Sequence, residues 1–255
     1  ALTVRYWIKD YATNVEGAIT KTYDSFKYEK NDYYDMEANL NVTDYDGRKY
    51  YMWDAKKNYW SGYEWNSNNP LQPVLTGQNN ANFPDFGTDR YLHMTEGFGR
   101  ADAINSCKDL PNANELGWYV KKGDPRWDDD KLWTAMGHLY KGGIWFRNKA
   151  YIKLIESFQS DRGPSYRDMR DEYIQLDVTP TQGAPVGFFA SSYFFLPALG
   201  QYSGGFLQDI GQTGYYWSSS ASPGDYSWAY LLEFSKSKVI VNTTQSDGGF
   251  YVGTF

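Results

Sequence analysis

The chain has 255 residues, with 25 Lys and Arg against 31 Asp and Glu and a formal net charge of −6. That length can bury a sizeable core, which excludes a miniature disulfide-held scaffold, and the absence of a basic field to attract phosphate backbones or an anionic membrane surface excludes nucleic acid as an expected partner. The outlier is ring content: 10 Trp, 24 Tyr and 14 Phe make up 19% of the chain, alongside one cysteine, Cys107, that has no second cysteine to pair with.

Leu2, Val4, Tyr6 and Ile8 alternate with Thr3, Arg5 and Trp7, which predicts a strand at the start of the chain. Asp46-Gly47 predicts a hairpin turn between strands at Met36–Val42 and Lys49–Trp53. Between Asn66 and Asp89 lie six Asn, three Pro and two Gly, the composition of a long loop. The middle reads as helical. Ala101, Ile104 and Cys107 share one helical face ahead of Leu110-Pro111, and Asn112 and Glu115 are spaced as a capping box before the stripe Ala113, Leu116, Val120. Leu132, Met136, Leu139 and Tyr140 predict a further helix ended by Gly142-Gly143, and Tyr151, Leu154, Ile155 and Phe158 predict another. From about residue 172 the chain returns to short aromatic or β-branched runs: Tyr173–Val178, Gly187–Leu196, Tyr215–Ser219, Ala229–Phe234, Lys238–Asn242 and Gly249–Val252. Strands, then helices, then strands is an α+β order. The longest apolar stretch, Val186–Leu199, is broken by Gly187, Ser191, Ser192 and Pro197 and is too short to span a bilayer, so no membrane insertion of the chain is expected.

The most specific text lies in the C-terminal third. Phe194-Phe195-Leu196-Pro197-Ala198-Leu199-Gly200, Gly214-Tyr215-Tyr216-Trp217-Ser218-Ser219-Ser220, Ala229-Tyr230-Leu231-Leu232-Glu233-Phe234 and Gly249-Phe250-Tyr251-Val252 follow in that order. Together with Cys107-Lys108-Asp109-Leu110-Pro111 and the capping box, this resembles the major paralogous domain of bacterial surface proteins. A narrower likeness, carried by Trp118-Tyr119, Lys122-Gly123-Asp124-Pro125 and Lys141-Gly142-Gly143-Ile144-Trp145, is to C-terminal domains of fimbrillin-type pilus tip or anchor subunits. The resemblance covers roughly residues 96–255. It implies an α+β, C-type-lectin-like fold, with helices packed on a twisted irregular antiparallel sheet. The division that follows is a β segment over residues 1–48 and a lectin-like domain over 49–255. The resemblance further implies an extracellular, non-catalytic adhesion domain, without cofactor, whose partners are other pilus subunits or a surface ligand such as a glycan. Where that family closes with Arg and Cys, this chain has Gly253 and Thr254, so Cys107 lacks the partner the pattern would supply.

Candidate chemistry is sparse. Two histidines, His93 and His138, and one cysteine cannot assemble a nitrogen and sulfur metal site without carboxylates. Asp124, Asp128, Asp129 and Asp130 have oxygens of the kind calcium takes, although carboxylates ahead of Leu132 also suit a helix N-terminus. Ser218-Ser219-Ser220 with His138 lacks the elbow of a hydrolase nucleophile. A carboxylate pair for glycan hydrolysis is a less favoured alternative that sequence spacing does not locate. Cys107 reads as a small hydrophobe. The ligand-binding candidates are Tyr59, Trp60, Tyr63, Trp65 and Asn66, where rings alternate with polar residues before the long loop, as a sugar-stacking platform requires. The plainer reading is that Trp60 and Tyr63 cover a sheet edge. Trp118, Trp145 and Trp217, flanked by small residues, read as core anchors.

Overall fold

The computed structural model describes residues 2–24, 27, 29–33, 40–91 and 101–253; His93 and most of the strand expected at Met36–Val42 lie outside them. The chain opens with β1 (Leu2–Asp10), β2 (Val15–Tyr23), β3 (Thr43–Tyr45) and β4 (Tyr50–Tyr51). A long connection leads to α1 (Ala113–Lys122), β5 (Arg126–Ala135), β6 (His138–Arg147) and α2 (Lys149–Ile155). Strands complete the chain: β7 (Leu176–Val178), β8 (Thr181–Gln182), β9 (Tyr193–Pro197), β10 (Gln201–Ser203), β11 (Phe206–Gln208), β12 (Thr213–Ser222), β13 (Asp225–Ser235), β14 (Val239–Gln245) and β15 (Phe250–Tyr251).

Two larger sheets carry the fold. One has the order β4-β15-β12-β13-β14-β7, and the other β3-β5-β6-β9 with β8 also on β5. Rings from both sheets, among them Trp133, Phe146, Tyr216 and Phe234, join one continuous core to which α1 adds Leu116, Tyr119 and Val120. A second cluster on Trp217, Leu231 and Phe250 is closed by Trp53, Cys107 and Leu110, so β12 and β13 are buried on both faces. This is a β-rich, sandwich-like fold with two α-helices among the described residues, and it overturns the expected α+β, C-type-lectin-like arrangement of helices on a sheet.

The reasons are local. At 101–110 the amides of Ile104, Asn105 and Cys107 donate to the buried carboxylate of Asp54, at 2.8, 2.7 and 3.2 Å, instead of to carbonyls four residues back. That segment is therefore a turn-rich cover and not a helix. The 132–140 stripe is the hairpin β5–β6: Met136 (φ 52°) and Gly137 (φ 80°) make its turn, and Trp133 stacks across the strands on Tyr140 at 5.0 Å. In α2 the buried residue is Ile152, while Leu154 and Ile155 face out, so the expected stripe is also misplaced.

Other expectations hold. Asn112 Oδ1 accepts from the Glu115 amide at 3.0 Å and Glu115 Oε2 accepts from the Asn112 amide at 3.2 Å, completing the capping box of α1. The strand at the chain start, the long loop and most of the C-terminal strands are present, but of the expected Gly187–Leu196 strand only Tyr193–Leu196 forms, Gly187–Ser192 being turn and a short 3-10 helix. Asp46-Gly47 is a turn, with the Lys49 amide donating to Asp46 O at 3.1 Å, but the strands on either side enter different sheets and form no hairpin. Of the N-terminal segment, β3 pairs in parallel with β5. The β1–β2 hairpin docks through its tip. Asp10 accepts from the Leu139 amide at 2.9 Å and lies 3.0 Å from His138 Nδ1, while Thr13 Oγ1 donates to Leu139 O at 2.9 Å.

Candidate recognition groove

The sheet ends β3 and β9 line the same groove, a cavity of about 420 Å³. One wall is Thr43–Tyr45 with Asp46 and Lys49; the other is Phe194–Pro197; Tyr216 and Tyr251 lie between them. Successive strand residues point to opposite faces, so a cavity touching every residue of β3 and four consecutive residues of β9 meets strand edges and not a single sheet face.

The lining is held in place. Tyr216 donates its hydroxyl to Pro197 O at 2.7 Å and meets Tyr251 edge to face at 5.6 Å. Burial raises both phenols well above their ordinary range and pushes Tyr45, which sits edge-on to Trp133 at 6.1 Å, up to about 12. All three are neutral hydroxyls at ordinary pH. Arg48 donates through Nε and Nη2 to Asp46 at 2.8 and 2.9 Å, and this pairing holds the Asp46 carboxyl below the usual carboxylate range. Thr134 Oγ1 donates to Asp44 at 2.8 Å, and Lys49 is exposed. Both carboxylates stand on one wall, and the opposing wall of Phe, Leu and Pro carries no titratable side chain.

The five residues expected to bind ligand divide. Tyr59 and Trp60, 0% and 1% exposed, lie in the core, each 5.4 Å from the Tyr202 ring. Tyr63 and Trp65 are half-buried and Asn66 is exposed. Trp65 abuts the Asp46-Gly47 turn, its Nε1 3.3 Å from where a Cβ on Gly47 would stand. The indole nitrogens of Trp60 and Trp65 and the Ser67 hydroxyl are buried with no hydrogen-bond partner. Trp118 and Trp217 are buried anchors, and Trp145 is half-buried against Phe195.

The remaining candidates are engaged elsewhere. Asp128 accepts from the Asp130 and Lys131 amides and from Trp145 Nε1, and Asp129 accepts from Trp127 Nε1 and Lys236. Asp124 accepts from Arg126 and Tyr193. These acids lie on and before a strand, so the helix-cap reading does not describe them; no group of three or more His, Cys, Asp and Glu placed to hold a metal ion occurs among the described residues. Ser218 and Ser220 are buried in hydrogen bonds to each other, Ser220 Oγ accepts from the Ala113 amide, and His138 sits against Asp10. Cys107 is fully buried, and burial pushes its thiol up to about 12, the behaviour of a small hydrophobe.

Comparison with protein families, with curated proteins and with solved structures gives no match. The groove itself was missed at the sequence level. Its two walls come from distant parts of the chain, and the only local signal was the Phe194–Pro197 run, whose strand edge is visible only once β9 ends its sheet.

Proposed function

We propose that this chain is a non-catalytic adhesion domain, of the kind that tips or anchors a bacterial pilus, and that the β3–β9 groove is its contact surface. The observation that carries the reading is the make-up of that groove: ring-rich, fixed by internal hydrogen bonds, and with its carboxylates and lysine confined to residues 44–49. Such a surface suits holding a partner more than transforming it. The likeness of the C-terminal motifs to bacterial surface domains supports extracellular display, with other pilus subunits or a surface ligand as partner.

A lectin-type reading has its own support, because Tyr45 stands beside Asp44, Asp46 and Lys49, and Tyr63, Trp65 and Asn66 stay at or near the surface. A glycan-array screen of the purified chain, with calcium and with chelator, separates the two. Glycan binding lost in the Asp44→Lys/Lys49→Glu variant at unchanged melting temperature supports the lectin reading. Silence in both conditions leaves subunit binding. Release of new reducing ends from any glycan overturns the non-catalytic proposal.

A further inference from the structure

The hairpin of β1 and β2 is a sheet of its own. Its strands pair in unbroken register, from Leu2 against Tyr23 to Asp10 against Val15, and with no other strand among the described residues. It reaches the body through its tip and through Gly17, where a Cβ would stand 2.9 Å from Leu132 Cδ1, and no residue from 2 to 24 is buried. Leu2, Val4, Tyr6 and Ile8 share the face of Gly17, and each is only half-buried. Two strands alone are marginally stable in water, whereas three or more with an apolar face hold together.

The two outer edges of this hairpin differ. β2 places Gly17 and Lys21 on the inner face, a weak strand former and an inward charge, and both discourage the addition of a further strand. β1 has no proline, no bulge and no inner-face charge ahead of Asp10, whose carboxylate is taken by the Leu139 amide and His138. On its outer face Arg5 lies 5.8 Å over the Trp7 ring, which is 62% exposed, and Lys9 pairs with Glu16 at 3.5 Å. A second copy of β1, related by a two-fold axis, would run antiparallel to the first and set side chains of one face opposite each other. With the axis at Tyr6 the whole strand pairs: Arg5 opposes Trp7 of the second copy, Thr3 opposes Lys9 and Val4 opposes Ile8. No like charges stand directly opposite. A shift of two residues sets Arg5 against Arg5 in one direction and Arg5 against Lys9 in the other, and both are destabilising.

We infer that β1 is the edge through which two copies of this chain join, turning two hairpins into one four-stranded antiparallel sheet in the order β2-β1-β1-β2. The contact is independent of the groove. The test is sedimentation velocity of the full chain from about 1 µM to 1 mM, together with cysteine crosslinking. Wild type is expected to show a reversible monomer–dimer equilibrium. Tyr6→Lys sets two lysines across the axis and should raise the dissociation constant about fivefold or more. Its melting temperature should not change, since the hairpin holds no buried residue, and mixing it with Tyr6→Glu should restore the dimer. Tyr6→Cys should give a disulfide-linked dimer on mild oxidation, whereas Ile19→Cys, three strand spacings or roughly 14 Å from its mate, should not. The Asp44→Lys/Lys49→Glu groove variant should dimerise as wild type does. A wild type that stays monomeric throughout, equal dimerisation by Tyr6→Lys, or crosslinking from Ile19→Cys in place of Tyr6→Cys overturns the inference. A dimer that Val186→Ser/Phe188→Ser abolishes and Tyr6→Lys leaves intact would assign the contact to that exposed apolar loop and overturn it likewise.

Discussion

Removing the Asp54 carboxylate should destabilise the protein through the segment it organises. Asp54 is buried with φ 52°, and its two oxygens accept from the amides of Ile104, Asn105 and Cys107 and from Asn105 Nδ2. In Asp54→Ala the three amides lose their acceptor at a site closed by Trp53, Trp217 and Leu110. A stranded buried donor costs about 1–3 kcal/mol; only the Cys107 bond is fully buried and the other two are partly so, which gives an expected loss of about 3–5 kcal/mol. For a chain of this size that is roughly 6–20 °C in melting temperature. Asp54→Asn keeps one accepting oxygen and tolerates the left-handed backbone, so it should fall between wild type and Asp54→Ala. Urea titration followed by tryptophan fluorescence reads the effect, since Trp53 and Trp217 lie in the same cluster. A loss below about 1 kcal/mol for Asp54→Ala would refute the idea that this carboxylate is what turns 101–110 away from helix.

Three further outcomes follow from the same coordinates. Gly200 has φ 66° and a Cβ there would stand 2.1 Å from Gln208 O, whereas Gly204 has φ 54° with open space; Gly200→Ala should unfold or destabilise severely and Gly204→Ala should cost only about 1–2 kcal/mol in urea titration. Burial opposes ionisation of Asp10, but the hydrogen bonds from the Leu139 and Ala12 amides, His138 and the Thr13 amide outweigh it and hold the carboxyl at about 2. Its contribution is complete above the ordinary aspartate value near 4 and disappears as pH falls through about 2, so the protection of the Leu139 amide relative to its intrinsic exchange rate at each pH should fall in that window in wild type and stay level there in Asp10→Asn. Trp60→Ala should cost about 3–5 kcal/mol as a core truncation, and a nearly unchanged melting temperature would contradict its placement against Tyr202.

What the sequence made legible was local. The capping box of α1 needs only Asn112 and Glu115, three residues apart, and the C-terminal strands announce themselves by β-branched and aromatic runs. What it concealed depends on partners far along the chain. The apolar spacing at 101–110 fits a helix until Asp54 takes its amides. The spacing at 132–140 fits a helix until a methionine, an unusual turn residue, adopts positive φ and lets Trp133 meet Tyr140. The site followed the same rule. Alternation in residues 59–66 suggested a ring platform, but Tyr202 draws Tyr59 and Trp60 into the core and leaves Tyr63, Trp65 and Asn66 nearer the surface. The groove exists only because β3 and β9 end one sheet with Tyr216 and Tyr251 of the other between them.

The most direct test of the proposed groove contact is photocrosslinking of the purified chain against isolated pilus subunits and glycoconjugates, with the crosslinker placed at Lys49 and, as a control outside the groove, at Lys236. The account predicts that Lys49 captures a discrete pilus subunit or glycoconjugate, that Lys236 does not, and that Asp44→Lys abolishes the product. Capture from Lys236 alone, or from Lys49 irrespective of Asp44→Lys, would contradict it.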